Sequence, residues 1–177
     1  DFGPARRPKC GPLQRRQSKL HAEQIDFLRL LARRTWAFFD TFVGPTDHWL
    51  PPDNVQEQPV ARIAHRTSPT NIGLSLLANL AAHDFGYITL GQLIARTGAT
   101  LDTMETLPKY QTHFYNWYDT QTLQPLRPAY VSTVDSGNLA GHLLTLRAGL
   151  QALATEAPPL ARLFVRGKTK SLGSDCV

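Results

Sequence analysis

The feature that most limits how this sequence can fold is an alternation between segments with helical apolar spacing and long connectors rich in polar and aromatic residues. The spacing predicts helices over about 23–43, 69–83, 90–107 and 138–154. Convincing strands are absent, and no repeat with a period of roughly 30–45 residues emerges. The sequence therefore predicts an all-α fold. Helical pairs with elaborate loops at one end are typical of part of an α/α toroid, whose loops build a cleft.

Local signals predict where these helices begin and end. Ser68 before Pro69 is a strong helix start, because a hydroxyl can accept from a free backbone N–H and proline lacks the N–H that would be unpaired there. Thr89 is the predicted cap of the next helix, and Gly44-Pro45 ends the first. The first helix carries a wide apolar stripe, so we expect it to be buried on much of its surface.

The net charge of +5 is concentrated at the two ends of the chain. Residues 1–20 hold six Lys and Arg against one acid, and residues 162–177 hold four against one. Residues 21–161 carry nine bases and twelve acids, so the folded part is mildly acidic. A nucleic-acid-binding protein gathers basic side chains on its folded surface. The charge distribution therefore argues against a nucleic-acid partner.

Composition along the chain predicts three parts. Residues 1–21 form a basic, proline-broken arm, residues 22–155 one domain, and residues 156–177 a basic tail, with both ends expected to be poorly ordered. The chain starts without an initiator methionine or a signal peptide, so we expect a piece of a longer protein. No apolar run approaches the roughly 20 residues that span a bilayer, so we expect a soluble segment without direct membrane insertion.

Metal and cofactor sites are not expected. Cys10 and Cys176 lie in the two ends, and neither has a second thiol or a histidine at metal-ligand spacing. The histidines likewise lack partners two or four residues away. Two reduced, unpaired cysteines are the simplest interpretation, which mildly favours a cytoplasmic setting.

The connectors and the helix starts beside them carry the residues that suggest a ligand. Indole or phenol rings lie among carboxylates, amides and hydroxyls, and a flat face beside planar hydrogen-bonding groups is what a sugar-binding protein needs. These stretches are His48-Trp49-Leu50-Pro51-Pro52-Asp53-Asn54, His65-Arg66-Thr67-Ser68-Pro69-Thr70-Asn71, Asn116-Trp117-Tyr118-Asp119 and Ser132-Thr133-Val134-Asp135-Ser136-Gly137-Asn138. Carbohydrate is therefore the leading ligand class.

Two interpretations remain open for the aromatic and basic residues. Trp49 and Trp117 can plug the ends of the helical layer or provide stacking platforms for a glucose ring, with Tyr118 favouring the second. Trp36 lies within a helical stripe and is predicted to be core. The guanidinium of Arg66 can hold vicinal sugar hydroxyls, or form an internal ion pair with a nearby aspartate.

Asp119 and Asp135 are the candidate catalytic acids, because glycoside chemistry needs two carboxyl groups across the scissile bond. Each also has a structural interpretation. Asp135 precedes a predicted helix start, where an aspartate cap is the default, and Asp119 is a candidate for an Asx-type turn. The sequence therefore leaves the catalytic pair unassigned.

Several long strings resemble bacterial cyclic β-1,2-glucan synthases over roughly residues 24–150. They are Trp49-Leu50-Pro51-Pro52-Asp53-Asn54, Ala64-His65-Arg66-Thr67-Ser68-Pro69-Thr70-Asn71-Ile72-Gly73-Leu74, Asp84-Phe85-Gly86-Tyr87, Asn116-Trp117-Tyr118-Asp119-Thr120 and Tyr130-Val131-Ser132-Thr133-Val134-Asp135-Ser136-Gly137-Asn138-Leu139-Ala140-Gly141-His142. Those synthases are large inner-membrane proteins with a glycosyltransferase, a glycoamylase-like α/α-toroid region and a phosphorylase-like region. The segment looks like the opening of the middle region, which is associated with the transglycosylation that closes the glucan ring.

The resemblance implies a partial α/α toroid, about four helices of an (α/α)6-type barrel, at the cytoplasmic face of the inner membrane. It implies two partners, β-1,2-glucan or a related glucose polymer and the remainder of the parent synthase. It carries over as candidate sugar contacts Asp53, Asn54, Arg66, Trp117, Tyr118, Asp119, Asp135 and Asn138. The residues before 21 and after 156 do not resemble the family, and we expect the catalytic carboxylates in the missing remainder.

The sequence thus predicts an all-α fragment of a cyclic β-1,2-glucan synthase that contributes glucan-binding loops and is inactive alone. One competing hypothesis is a glycan-binding or helical scaffold module without chemistry. Another is a helical interaction domain whose basic ends bind acidic partners. Salt-insensitive binding of linear β-1,2-glucan would disfavour this last hypothesis.

Overall fold

Helices make up most of the computed structural model, which describes residues 19–156. They are α1 (Ala22–Phe42), α2 (Pro69–Asp84), α3 (Leu90–Thr106) and α4 (Thr133–Glu156), with a 3₁₀ helix at Pro45–Asp47. The described residues belong to two compact units that divide between Arg33 and Arg34. Most of the predicted arm and tail lies outside the described residues. No helix within residues 19–156 is long and apolar enough to cross a bilayer.

Short strands are confined to the two long connectors, between α1 and α2 and between α3 and α4. They are β1 (Val55–Gln56), β2 (Arg62–Ile63), β3 (Arg66–Thr67), β4 (Lys109–Tyr110), β5 (His113–Phe114) and β6 (Tyr118–Asp119). They form three antiparallel pairs, β1 with β2, β3 with β6 and β4 with β5. The structure is therefore mostly helical as predicted, and it adds two-residue ladders that the apolar spacing did not predict.

The predicted helix starts at Ser68 and Thr89 are confirmed. The Ser68 hydroxyl accepts from the backbone N–H of Asn71 at 3.2 Å. Thr89 accepts from the backbone N–H of Gln92 at 3.2 Å, while the Gln92 side chain accepts from the backbone N–H of Thr89 at 2.9 Å, which completes a capping box. Each cap pairs a backbone donor that the first helical turn leaves free.

The start of α4 differs from the prediction. The helix begins at Thr133, whereas the apolar pattern predicted a start near Asn138. Val134 is the one apolar residue among positions 133–138, and the regular apolar spacing of α4 begins only at Leu139, so periodicity could not detect the first turn. The Ser132 hydroxyl accepts from the backbone N–H of Asp135 at 3.1 Å, which is the bond that a cap makes.

The main core lies where α2 packs against α3 and α4. It takes side chains from the helices and from both connectors: Leu50, Ile72, Leu76, Met104, Leu107, Tyr118, Leu139 and Leu146. Each fully buried large side chain contributes roughly 1.5–3 kcal/mol. Leu50 and Tyr118 therefore hold the connectors against the ends of the helices.

The expectation that α1 is buried on much of its surface is wrong for the described structure. Trp36 is the buried residue of this helix, at 4% exposure, and its assignment to the core is confirmed. Phe27, Leu30 and Leu31 are at least half exposed. Apolar periodicity identifies a stripe that favours burial, but it does not establish that another element covers the stripe.

Candidate functional site

Both long connectors meet at the N-terminal ends of α2 and α4. Thr70, in the first turn of α2, donates its hydroxyl proton to Asp135 Oδ1 across 2.6 Å. Asn138 Nδ2, one turn further along α4, donates to Thr70 Oγ1 across 3.1 Å. These bonds join two helix ends that are more than sixty residues apart in the sequence. Together they form one side of the candidate site.

Asp53 lies at the centre of a second group of side chains. Its Oδ2 accepts from Arg66 Nη2 at 2.8 Å and from Arg66 Nε at 3.1 Å. It also accepts from Asn54 Nδ2 at 3.0 Å, and its Oδ1 accepts from Asn71 Nδ2 at 3.3 Å. The internal ion pair that the sequence left open is therefore present. The Arg66 side chain is nevertheless 51% exposed, so it remains accessible to a ligand.

Arg66 and Trp117 form one composite surface. The guanidinium carbon lies 5.0 Å from the centroid of the Trp117 ring, within the range of a cation–π contact. The pairing of β3 with β6 explains this proximity, because Arg66 lies opposite Asp119 in the ladder. Trp117 is half-buried, so indole and guanidinium together present an aromatic and cationic surface.

Asn116 connects the two groups of side chains. With its amide oriented to satisfy its neighbours, Nδ2 donates to Asp135 Oδ2 at 2.9 Å. Its Oδ1 accepts from Trp117 Nε1 at 2.5 Å and from Tyr130 Oη at 2.9 Å. Asn116 is 6% exposed, so this amide fixes the indole from inside the protein. Six predicted contacts therefore lie in one connected network: Asp53, Asn54, Arg66, Trp117, Asp135 and Asn138.

Three members of this network were absent from the predicted site. Thr70 and Asn71 belong to the stretch after Arg66, and Asn116 immediately precedes Trp117. Their amide and hydroxyl groups were visible in the sequence. Their bonds to Asp53, Asp135 and Asn138 span 18 to 68 residues, and no local pattern reveals such pairings.

The interpretation of Asp135 as a helix cap is wrong. It lies inside the first turn of α4, and its own backbone N–H is capped by the Ser132 hydroxyl. Each oxygen instead accepts one bond from another element, Oδ1 from Thr70 and Oδ2 from Asn116. Asp135 therefore ties α4 to α2 and to the second connector.

Tyr118 does not reach the site surface. It is 0% exposed, and its hydroxyl donates to Pro108 O and accepts from the backbone N–H of Tyr115, both at 2.7 Å. Burial disfavours the phenolate and raises the pKa of Tyr118 to about 12. Its prediction as a sugar contact fails because alternation along β6 turns Tyr118 inward while its neighbours face the other way.

Asp119 has the turn geometry that the sequence offered as an alternative. Its Oδ1 accepts from the backbone N–H of Thr122 at 2.7 Å and of Gln121 at 2.9 Å. These bonds lower the pKa of Asp119, and the bond from Thr122 has the largest effect. Partial desolvation acts in the opposite direction but does not outweigh them. One carboxylate oxygen of Asp119 is thus committed to the turn.

A third cluster of polar side chains, centred on Asp47, links the two connectors to each other. Asp47 is 7% exposed, and its Oδ1 accepts from His65 Nδ1 at 2.8 Å and from Thr120 Oγ1 at 2.5 Å. A buried carboxylate needs such donors to offset lost hydration. His48 Nδ1 also lies 2.9 Å from the carbonyl oxygen of Thr120. The cluster joins the 3₁₀ helix to β3 and to the residue after β6.

Trp49 lies apart from this network. Arg96 lies over its ring, with the guanidinium carbon 5.5 Å from the centroid, and over Trp36 at 5.1 Å. Arg96 Nη2 donates to the carbonyl oxygen of Phe39 at 2.8 Å. Burial lowers the pKa of Arg96. This arrangement agrees with the interpretation of Trp49 as a packing residue rather than a platform beside Trp117.

The residues described by the structure contain no group of three or more histidine, cysteine, aspartate or glutamate side chains that could hold a metal ion. The site has instead two paired carboxylates, four amides, a guanidinium and an indole within hydrogen-bonding or stacking distance of one another. Such a surface can bind a neutral polyhydroxylated molecule by hydrogen bonds and by stacking.

Comparison with known proteins relates the chain to carbohydrate enzymes. No protein-family profile matches it. It is 48% identical over 151 residues to cyclic β-(1,2)-glucan synthase NdvB from Rhizobium meliloti (strain 1021). The match covers 85% of this chain and 5% of that protein. The resemblance to cyclic β-1,2-glucan synthases is thus confirmed, and the chain spans about one-twentieth of the length of this curated relative.

Solved structures resemble the fold. A proposed glucoamylase from Bacteroides fragilis NCTC 9343 superposes with a TM-score of 0.59 and 18% identity, over 78% of this chain and 38% of that one. The endo-β-1,2-glucanase from Chitinophaga pinensis, solved with sophorotriose and glucose, superposes with a TM-score of 0.56 and 17% identity. The match covers 76% of this chain and 36% of that one. At these identities the likeness concerns the fold alone.

Proposed function

We propose, from the premise that this chain is homologous to a segment of a cyclic β-1,2-glucan synthase, that its connectors build part of a glucan-binding cleft. The cleft would belong to a glycoamylase-like α/α toroid, of which this chain supplies about four helices. The solved structures with a similar fold are larger, since the chain covers 38% and 36% of them. Further helices of the parent protein would close the toroid.

The observation that carries the proposal is the amide of Asn116, which joins the Trp117 indole to the Asp135 carboxylate. Through this amide, one connector holds an aromatic ring and the start of α4 in fixed relation. The guanidinium of Arg66, placed over the same ring, adds donors from the other connector. A glucose unit offers vicinal hydroxyls and an apolar C–H face, which match these groups.

The exposed groups of the network are assigned to direct sugar contact. Asn54 and Asn138 are exposed amides, and the guanidinium of Arg66 is half exposed. Trp117 supplies the ring. Asp53 and Asp135 hold these groups by accepting bonds from them or from their neighbours, and they act as positioning residues in this proposal.

Catalysis by the parent protein is proposed to use carboxyl groups outside this chain. Glycoside transfer needs one protonated and one ionised carboxyl group flanking the bond. Both oxygens of Asp135 already accept side-chain bonds, and Oδ1 of Asp119 accepts two backbone bonds. The chain alone would therefore bind glucan without cleaving or transferring it, in the transglycosylating region of a parent at the cytoplasmic face of the inner membrane.

These occupied oxygens equally favour a second candidate function, a glycan-binding module without chemistry. The two are separated in the full-length parent synthase, with Asp135→Asn and Asp119→Asn assayed for ring closure and for glucan affinity. A contribution to catalysis predicts lost cyclisation at unchanged affinity. A binding role predicts that cyclisation falls only as far as affinity does.

Calorimetric titration of the full chain with sophorotriose tests the proposal. Asn54 is exposed, so Asn54→Ala can remove a sugar contact with little effect on the fold. We expect its affinity to fall roughly two- to tenfold, the loss of about one hydrogen bond. Gln151→Ala, an exposed amide near the far end of α4, is the matched control and should bind normally. No measurable binding, or equal behaviour of the two variants, contradicts the proposal.

A further inference from the structure

A groove lies beside the hydrogen-bonded network of the candidate site and has no role in the proposed function. Its volume is about 490 Å³, within the range of ligand sites. It is lined by Tyr110, His113, Tyr115, Ala129, Tyr130 and Val131. Tyr110 and Tyr130 are 54% and 52% exposed, whereas tyrosine is typically intermediate between buried and exposed. Exposed rings along one groove therefore need an explanation.

The β4–β5 hairpin sets two of these side chains next to each other. Tyr110 and His113 are directly opposite in the ladder, so both side chains lie on the same face. The two residues between them, Gln111 and Thr112, have φ of 46° and 79°. Positive φ at both central residues is the requirement of the tight hairpin turn that matches the twist of the strands. For β-branched Thr112 this conformation is uncommon and strained.

The hairpin is anchored on its other side, which leaves the groove face free. Lys109 Nζ donates to the carbonyl oxygens of Met104 and Glu105, at 3.0 and 3.1 Å, in the last turn of α3. It also lies 4.9 Å from the centroid of the Phe114 ring, its partner across the ladder. The groove wall is thus built on the end of a helix and is not a loose loop.

Tyr130 connects the groove to the network. Its hydroxyl donates to Asn116 Oδ1 at 2.9 Å, and its carbonyl oxygen accepts from the backbone N–H of Asn116 at 2.8 Å. The same Asn116 oxygen accepts from the Trp117 indole. The ring that lines the groove and the ring that forms the candidate sugar platform are therefore fixed by one amide.

The lining also indicates the chemistry of the occupant. None of the six lining side chains is a carboxylate, a lysine or an arginine, so a charged ligand would find no fixed counter-charge. Three phenols and an imidazole offer flat faces with hydroxyl and ring-nitrogen hydrogen bonds at their edges. A neutral, polyhydroxylated chain with apolar ring faces fits this lining better than an anionic or cationic polymer does.

We propose that this groove is an extension subsite that stacks glucosyl units of the same β-1,2-glucan beyond the unit held by Arg66 and Trp117. The inference rests on the proposed function, and it adds Tyr110 and Tyr130 as binding residues. A short ligand would occupy only the network. A long one would also cross Tyr130 and reach Tyr110.

The test compares ligand lengths by calorimetry on the full chain, with sophorose and a long linear β-1,2-glucan as probes. Tyr110→Ala should leave the affinity for sophorose unchanged and reduce that for the long glucan roughly two- to tenfold, the loss of about one aromatic stacking contact. Tyr110→Phe keeps the ring and should keep most of the affinity. Phe85→Ala, which removes an exposed ring at the opposite end of α2, should change neither.

The possible results separate the two proposals. If Tyr110→Ala binds both lengths like the unmodified chain, or weakens both equally, the extension subsite is wrong. If the unmodified chain binds neither probe, or if Asn54→Ala does not weaken either, the proposed function fails and the subsite falls with it. His113→Ala is the second variant should Tyr110→Ala not fold, and the same length-dependent loss is expected from it.

Discussion

Tyr118 donates a hydrogen bond to the carbonyl oxygen of Pro108, which immediately precedes β4, across 2.7 Å within the core. The same hydroxyl accepts from the backbone N–H of Tyr115, immediately after β5. One phenol therefore ties together both ends of the β4–β5 hairpin. The residue predicted as a sugar contact thus supports the wall of a groove without touching its surface.

Because this hydroxyl bridges the hairpin only as a donor while it is protonated, the stability of the fold should fall at alkaline pH. The pKa of Tyr118 is raised by burial from 10.0 to about 12, so the folded state holds the proton more tightly than the unfolded state. Its contribution to stability is fully present below pH 10 and is lost as pH rises through about 12. Urea unfolding across this range should show a decline that Tyr118→Phe lacks. An equal decline in both proteins would contradict the assignment.

The acid side of the pH profile should report Asp119. Its pKa is lowered by the backbone N–H of Thr122 and then that of Gln121, so the folded state favours the carboxylate. The stabilisation is present above the ordinary pKa of 3.8 and is lost as pH falls through the lowered folded value. Asp119→Asn keeps the acceptor without the charge, and we expect it to lose about 0.5–1 kcal/mol at neutral pH. That difference should shrink in acid, as measured by urea unfolding of both proteins.

Helix glycines provide a test of the packing between α2 and α4. A Cβ built on Gly73 would lie 2.9 Å from both Cβ and Cγ of His142, closer than side chains tolerate. Gly73→Ala should therefore destabilise the fold by about 1–3 kcal/mol. A Cβ on Gly141 would meet nothing within 4 Å, so Gly141→Ala should stabilise α4 by about 0.5–1 kcal/mol. Chemical denaturation of the pair checks both signs, and a loss at Gly141 would show that its surroundings are misassigned.

Local rules predicted the parts of the fold that local interactions determine. The caps at Ser68 and Thr89 involve partners three residues away, and the sequence identified both. Periodicity placed the four helices within residues 19–156 but missed the first turn of α4, where Val134 is the one apolar residue. It could not establish whether the exposed stripe on α1 has a covering partner, since that depends on residues elsewhere in the chain or in another molecule.

The candidate site was predictable in its residue types but not in its connections. A two-residue period along Trp117, Tyr118 and Asp119 would have turned Tyr118 inward, had the short strand been recognised. The links from Asn116 to Asp135 and from Thr70 to Asp135 needed the helix ends to be placed in space. A cluster of amides and aromatic residues in a sequence therefore indicates a binding surface, but it does not reveal which of those side chains touch the ligand.

The amide at position 116 gives the sharpest test of the network, because it must donate to one neighbour and accept from others. Asn116→Asp replaces the donor that faces Asp135 Oδ2, 2.9 Å away, by a second carboxyl group. Two carboxylates this close disfavour double ionisation, so the variant should be least stable and bind most weakly at neutral pH. As pH falls toward about 4, the pair takes up a proton, which restores a donor between the two carboxyl groups. Asn116→Ala loses this donor and also the acceptor for Trp117 and Tyr130, but it adds no charge, so its deficit should vary little over that range.

Both variants would be measured by thermal unfolding and by titration with sophorotriose across this pH range. Recovery in acid of Asn116→Asp alone, in both stability and affinity, is the expected result. It follows from the distance between the amide and Asp135, because only a charged group at that position responds to the protonation of its neighbour. Parallel behaviour of the two variants at every pH would mean that Asn116 does not face Asp135 in solution, and the junction between the two connectors would have to be redrawn.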